Sequence, residues 1–418
     1  MGKYLRRFQT ESEFNQERSE NYIEPWVSLI GENNRVDYNK TEDEKLFETP
    51  FTIEALGSGD IKWKLKSKSL QYSKNGGEWT TMTSATTIPV VQGDEIQFKG
   101  TNTDYSGNTI SAKTEFNIKG NIMSLTNGDN FVGADSVGAS AFRGLFSGCT
   151  AVTSAENLKL PATTLADYCY NGMFGGCTSL TTAPELPATI LASSCYSNMF
   201  AGCTSLTTAP ELPVTALTSG CYAFMFSGCT SLTTAPELPA TTLTGSCYNG
   251  MFGGCTSLTT APELPATILA KYCYKSMFQG CTSLTTAPEL PVTILANYCY
   301  VNMFDGCTSL TTAPELPATT LADGCYSGMF SGCTSLTTAP VLPATALTSY
   351  CYENMFRDCT NLNYIKAMFT TEPSPNYNNY WVNGVAATGT FVKNSAARWT
   401  TTGVNGVPTG WTVETASA

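Results

Sequence analysis

Histidine is absent from all 418 residues of this chain. That absence excludes Ser-His-Asp and Cys-His nucleophile pairs, zinc sites that use histidine, and the HExxH helix of metalloproteases. The remaining residues form no catalytic, cofactor or metal motif that stands out. We therefore expect a protein that is not an enzyme, with no catalytic residues, no cofactor and no metal.

Basic residues and long apolar runs are also scarce. The chain has 23 lysines and arginines against 34 aspartates and glutamates, a formal net charge of −11. Nucleic acid and anionic membrane surfaces attract the opposite excess, and no run approaches the ~20 apolar residues of a membrane span. We expect no nucleic-acid partner and no membrane insertion. The charged first 22 residues do not resemble an ordinary secretory signal, so we also expect synthesis in the cytoplasm.

Cysteine, by contrast, is abundant, and the 17 cysteines mark an internal repeat. The segment CTSLTTAPELPATILASSCYSNMFAG recurs every 26 residues from Cys177 to Cys359, and a diverged first copy of 28 residues precedes it. Repeats of this length indicate units that bury their apolar faces by stacking. The eight copies, numbered one to eight, begin at Cys149, Cys177, Cys203, Cys229, Cys255, Cys281, Cys307 and Cys333.

Each copy combines a strand-like segment with a helix-like one. Leu180 and Leu186 bracket the segment TTAPE, in which Pro184 lacks the N–H that a central strand needs, so any parallel sheet is expected to be narrow there. Cys195, Met199 and Cys203 follow at i, i+4 and i+8, a spacing that predicts one face of a short helix. The sequence therefore predicts an α/β solenoid over residues 149–362.

The cysteines fit this solenoid as two buried ladders. Each copy places two of them at equivalent positions with apolar flanks, where a free thiol packs as a small hydrophobe. Lateral disulfides and metal binding are the alternatives, and the C-x7-C spacing without histidine is not that of a zinc site. The core cysteines of these two ladders include Cys177, Cys195, Cys203, Cys221, Cys229 and Cys247.

The repeat pattern resembles the BspA-like leucine-rich repeat. The resemblance covers residues ~140–365 and is carried by Cys177, Leu180, Leu186-Pro187, Leu191, Met199-Phe200 and Cys203 and their equivalents. This chain departs from the family pattern by about three extra residues in each copy and by the proline in mid-strand. The resemblance implies a curved solenoid used for recognition, with no catalytic chemistry.

Two surfaces are candidates for ligand contact. The residues that flank the Cys-Tyr pair differ between copies, which indicates either a free surface or a binding surface. These candidate positions are Tyr168, Ser194, Tyr272, Lys275, Tyr298 and Asn302. The second surface is a column of glutamates, which is either a solvated acidic stripe or a site for cations. It comprises Glu185, Glu211, Glu237, Glu263, Glu289 and Glu315.

The regions outside the copies divide into four parts. Residues 1–48 predict a helix plus a β-hairpin, and residues 49–121 alternate β-rich runs and turns at the spacing of a small immunoglobulin-like β-sandwich. Residues 122–148 lead into the solenoid as its N-terminal cap. Residues 363–418 supply three tryptophans to cap its other end. The predicted fold is therefore multidomain, a β-sandwich followed by a solenoid of 26-residue coils.

The N-terminal block carries a second resemblance. YLRRF, YIEPWVSL and VDYNK resemble the N-terminal segment of structural proteins from phages that infect gut Bacteroidetes, including crAss-like phages. This implies a virion protein, a tail or head fibre or a decoration protein, that docks to other virion proteins through residues 1–48 and presents the solenoid to a host-envelope glycan or protein. A homo-oligomer, such as a trimer, is expected by analogy.

Two other hypotheses remain open at the level of sequence. One is a bacterial cell-surface adhesin with its signal peptide missing. The other is an internal protein of the particle, in which the solenoid serves only as a scaffold.

Overall fold

A computed structural model describes residues 40–64, 70–83 and 86–416. The chain divides into two compact units, Met1–Thr41 and Glu42–Ala418, and the account that follows concerns the second. The helix and hairpin predicted within residues 1–48 fall almost entirely outside the described residues. Helix α1 (Glu42–Glu48), which the sequence patterns did not predict, opens the second unit. Its first turn is acidic throughout, which complements the positive end of the helix dipole.

Two antiparallel sheets follow α1. Their strands are β1 (Thr52–Ala55), β2 (Gly59–Lys64), β3 (Gln71–Lys74), β4 (Thr80–Thr81), β5 (Thr87–Val90), β6 (Glu95–Lys99), β7 (Thr109–Ala112) and β8 (Phe116–Asn121). One sheet has the order β4-β3-β6-β1-β8 and the other β5-β2-β7. The indole of Trp63 packs edge-on against Phe51 and Phe98 of the larger sheet, at ring-centre distances of 6.1 and 5.1 Å. The two sheets therefore share one apolar interior.

The repeats begin directly on the edge of the larger sheet. After helix α2 (Ser124–Asn127) and a 3-10 turn (Gly128–Asn130), copy one supplies strands β9 (Val152–Ser154) and β10 (Leu158–Lys159). Both pair with β8 in parallel. The buried rings also continue across this point, since Tyr105 stacks on Phe142 and Phe142 on Tyr170, with centres 6.1 and 5.8 Å apart. The hydrophobic core is thus continuous across the predicted boundaries at residues 121 and 148.

Within the copies, parallel pairing is reduced to single bridges. The second threonine of TTAPELP pairs with its equivalent in the next copy, as in Thr208 with Thr234 and Thr260 with Thr286. The proline two residues later has no N–H to continue the ladder. At both ends Glu156 and Lys366 replace this proline, and there true strands form. The last of them, β11 (Tyr364–Ala367), starts a parallel sheet with β12 (Thr390–Lys393) and β13 (Thr412–Thr415).

The helix predicted in each copy is wrong. Residues 149–362 are all described and contain no helix; the segment from Asp167 to Gly176 and its equivalents form a run of consecutive turns, here called the turn run. Along it, successive backbone N–H groups alternate between two kinds of acceptor. One donates to the carbonyl three residues earlier in the chain, and the next donates to a carbonyl of the following copy. Met173 N donates to Tyr170 O at 3.1 Å, and Phe174 N donates to Met199 O at 2.8 Å.

Left-handed backbone at every fourth residue produces this geometry. In copy one Tyr168, Gly172 and Gly176 have φ of 57°, 61° and 75°, and the same three positions are left-handed in the later copies. A left-handed residue breaks an α-helix, because each one reverses the local turn direction. The four-residue period nevertheless places residues i, i+4 and i+8 on one face, which explains why the sequence pattern imitates a helix.

The C-terminal segment covers the last copy, as expected of a cap. Trp381 and Trp399 are buried, and the ring of Trp399 stacks on Phe369 with centres 5.2 Å apart. The indole N–H of Trp399 donates to Phe369 O at 3.2 Å, and that of Trp411 donates to Ala386 O at 2.7 Å. Helix α3 (Pro375–Asn378) precedes Trp381. The apolar end of the stack is therefore closed by aromatic rings whose polar atoms are satisfied.

Candidate functional site

The inner side of the turn runs consists of thiols and aromatic rings. All 17 cysteines lie in the described residues, are buried, and form no disulfide. In one ladder the thiol also donates a hydrogen bond, as Cys229 Sγ does to Phe200 O at 3.1 Å. That carbonyl also accepts the backbone N–H of Cys203. These cysteines are therefore hydrogen-bond donors to another copy as well as small apolar groups.

Burial makes these thiols unreactive. Desolvation raises the pKa of Cys195 and of Cys221 from 9.0 to about 12, and that of Cys247 to about 11. Since the thiolate is the reactive form, the interior offers no nucleophile near neutral pH.

Two columns of stacked rings run beside the thiols. Tyr170 stacks on Tyr196 and Phe174 on Phe200, with ring centres 5.7 and 5.5 Å apart and planes within 9° of parallel. The same stacking repeats through Tyr352 and Phe356. These tyrosines are fully buried, so they serve packing and not sugar binding.

The outer side of the turn runs carries the six variable positions singled out from the sequence. All six are at least partly accessible to solvent. Five of them have left-handed φ, between 51° and 60°: Tyr168, Ser194, Tyr272, Tyr298 and Asn302. A non-glycine residue pays about 1–2 kcal/mol for this conformation. Five of the six variable positions are therefore also strained, Lys275 being the exception.

The structure brings three of these six residues together. The rings of Tyr272 and Tyr298, from copies five and six, stack with centres 5.3 Å apart and planes 27° from parallel. Lys275 Nζ lies 5.4 Å from the centre of the Tyr272 ring. Lys271 Nζ lies 4.9 Å from that ring and 5.7 Å from the Tyr298 ring. We call these four residues the tyrosine–lysine cluster.

The other three positions are separate from this cluster. Tyr168 lies 41% exposed beside Arg143, whose guanidinium carbon is 5.6 Å from the ring centre. Ser194 lies in copy two, three copies from copy five, and its backbone N–H donates to Ser219 O at 3.0 Å. The side chain of Asn302 covers Gly328 of the next copy.

The glutamate column lies on another side of the copies. All six glutamates are exposed, and shallow clefts separate successive APELP segments. One of these clefts, of about 490 Å³, is lined by Pro262, Glu263, Pro288 and Glu289 among others. Within the described ranges, no group of three or more His, Cys, Asp or Glu side chains is close enough to hold a metal ion. The column ends at Lys159, which is buried in an ion pair with Asp43 of α1.

Sequence reasoning missed part of the outer surface. Lys271 is one of the residues near the Cys-Tyr pair that differ between copies, but it was not selected as a candidate position, although it lies near both rings of the cluster. Phe224 and Tyr350 are 39% and 45% exposed at left-handed positions and were likewise not selected. An aromatic residue at a position that other copies fill with glycine is the signal that could have found them.

Over the part of the chain that the structure describes, no helix is long and apolar enough to cross a bilayer.

Comparison with known proteins assigns the repeats. The family model for the BspA type leucine-rich repeat region matches residues 143–285, 220–314 and 274–377, with six copies. Together these matches cover more than half of the chain and confirm the resemblance seen in the repeat pattern. The curated proteins contain no significant match to this sequence.

Proposed function

Because this chain belongs to the BspA-type leucine-rich repeat family, we propose that its repeats form a non-enzymatic solenoid for adhesion, carried by a phage virion. Repeats of this family indicate an adhesion or protein-binding surface. Residues 1–48 dock the chain to other virion proteins, and the two sheets, as an immunoglobulin-like sandwich, hold the solenoid away from the particle. The solenoid then contacts the host envelope, and the chain acts as a homo-oligomer such as a trimer.

One observation carries the recognition role. The copies are nearly identical in their buried residues, whereas the outer side of the turn runs differs from copy to copy. That side holds large aromatic residues at strained backbone positions, and strain that the fold does not need is a reason to suspect a function. A scaffold alone would use glycine there, as copies three and seven do at Gly220 and Gly324.

The virion assignment rests on the N-terminal resemblance and is tested on particles. Mass spectrometry of purified particles should detect this chain in amounts similar to other structural proteins. Antibodies against the solenoid should label intact particles. Particles without the chain would refute the assignment, and a chain present but never labelled would favour an internal scaffold.

A bacterial cell-surface adhesin is the second candidate, favoured by the family match itself. It predicts that the chain fractionates with the envelope of the bacterium that encodes it and that its gene begins with an export signal. Either finding, together with particles that lack the chain, would replace the virion assignment.

A further inference from the structure

The tyrosine–lysine cluster differs in charge from the rest of the copies. Lys271 and Lys275 are the only basic residues between Lys159 and Arg357, and both fall in copy five. Sequence drift between repeats has therefore placed both positive charges of this region beside the one pair of stacked outer tyrosines. Such a coincidence points to a local site rather than to a general surface property.

The two ammonium groups have no carboxylate partner. Among the described residues neither lysine takes part in an ion pair. Each lies instead near the Tyr272 ring, within 5.4 Å of its centre. A cation–π contact holds an ammonium in place without neutralising its charge. The cluster therefore presents two positively charged groups beside the same tyrosine ring.

The rings are fixed by their neighbours in the stack. One face of Tyr298 covers Gly324, where a β-carbon would come within 2.3 Å of two ring atoms. The other face meets Tyr272. Ring edges and phenolic oxygens thus remain to contact a ligand, and the same two copies also carry the exposed apolar residues Ile268 and Ile294. This combination suits a ligand with hydroxyls, an apolar face and one negative charge.

We infer that the cluster of Lys271, Tyr272, Lys275 and Tyr298 binds the carboxylate-bearing sugar unit of an acidic polysaccharide. The carboxylate pairs with the lysine ammonium groups, and the sugar ring packs along the edges of the tyrosines. The net charge of −11 does not oppose this, because charges more than ~8 Å away are largely screened at physiological salt. This inference rests on the proposed adhesion function and names the ligand class of its surface.

The test measures binding of the full chain to polygalacturonate, with the fully methyl-esterified polymer as the neutral control. We expect binding to the acid polymer only. The K271Q/K275Q variant should bind at least about tenfold more weakly, a difference of about 1.4 kcal/mol. The K62Q/K64Q variant removes two exposed lysines from β2 and should bind as the wild type does.

A second pair of variants perturbs the rings without touching the lysines. Gly220 and Gly324 occupy the same position of the turn run with φ of 60° and 59°, so alanine costs the same backbone energy at each. Only G324A displaces the Tyr298 ring, since Gly220 faces Ser194 Oγ at 3.1 Å. We expect G324A to weaken binding to polygalacturonate and G220A to leave it unchanged.

Several results would overturn the inference. Absence of binding to polygalacturonate, equal binding of its methyl ester, or equal binding of K271Q/K275Q would each do so. Equal binding of dextran sulfate or of poly-glutamate would replace the sugar carboxylate by a general anion or an acidic peptide. If the chain adheres to host cells and K271Q/K275Q adheres equally, this inference fails while the proposed function stands; no adhesion at all refutes the proposed function.

Discussion

The buried thiols predict an unusually steep alkaline unfolding. Burial raises the pKa of these cysteines from 9.0 to about 11 or 12, as for Cys247 and Cys195, whereas in the unfolded chain they ionise at their ordinary value. Above pH 9 the folded chain therefore binds more protons than the unfolded chain. By linkage, stability is complete below pH 9 and falls as the pH rises.

The magnitude follows from the number of ladder residues. At about pH 10 each unfolded thiol gains about 1.4 kcal/mol by ionising, while a buried thiol gains little. Summed over all 17 cysteines, the free energy of unfolding then falls by somewhat over 20 kcal/mol. The buried tyrosines add to this loss at higher pH. A stability of about 0.05–0.15 kcal/mol per residue amounts to about 20–60 kcal/mol for this unit. We expect unfolding between about pH 10 and pH 11, complete within a few tenths of a pH unit.

The assay follows near-ultraviolet circular dichroism of the stacked tyrosines and thiolate absorbance in the same sample, with a phosphine reductant present. Both signals should change together. In a chain with alanine at Cys221, Cys247, Cys273 and Cys299, the free energy of unfolding should fall with pH about a quarter less steeply. Thiolate absorbance that rises gradually around pH 9, while the dichroism stays native, would refute the buried-ladder account.

Three further predictions concern stability. Cys229→Ala removes the donor to Phe200 O and should lower the free energy of unfolding by about 1–3 kcal/mol in urea denaturation; a loss below ~0.5 kcal/mol would contradict the role of the thiol as a donor. Ser246→Gly, at φ of 56°, should stabilise the chain by about 0.5–1 kcal/mol in thermal melts. Gly228→Ala, at φ of 74°, should destabilise it by about 1 kcal/mol. The reverse order would show that left-handed strain is not what distinguishes these positions. Trp399→Ala should cost about 3–5 kcal/mol and increase binding of a hydrophobic dye, and an unchanged dye signal would argue against a capping role.

The sequence predicts the repeat stack well because its period is a property of the sequence alone. Eight copies, buried cysteines and a proline-interrupted ladder all follow from residues that recur at fixed spacing. The local structure was harder to infer, because a run of turns with a four-residue period and a helix both place Cys195, Met199 and Cys203 on one face. Glycine directly before the cysteine that begins a copy, such as Gly202 before Cys203 and Gly228 before Cys229, was the available sign of left-handed backbone.

The candidate site depends on contacts between copies, which composition and spacing do not specify. Tyr272 and Tyr298 are 26 residues apart and stack because adjacent turn runs are in register. Lys271 joins them only in that arrangement. The ion pair between Asp43 and Lys159 is equally non-local, and it explains why the glutamate column ends in a lysine.

The most direct test of the recognition surface is a covalent footprint of the full chain bound to host envelope. Oxidative labelling modifies exposed tyrosine, phenylalanine and proline side chains and is read residue by residue by mass spectrometry. Our account predicts protection of outer turn-run residues, above all Tyr272 and Tyr298, with no change at the prolines of the APELP segments. Protection of Pro262 and Pro288, with Tyr272 and Tyr298 labelled as in the free chain, would contradict it.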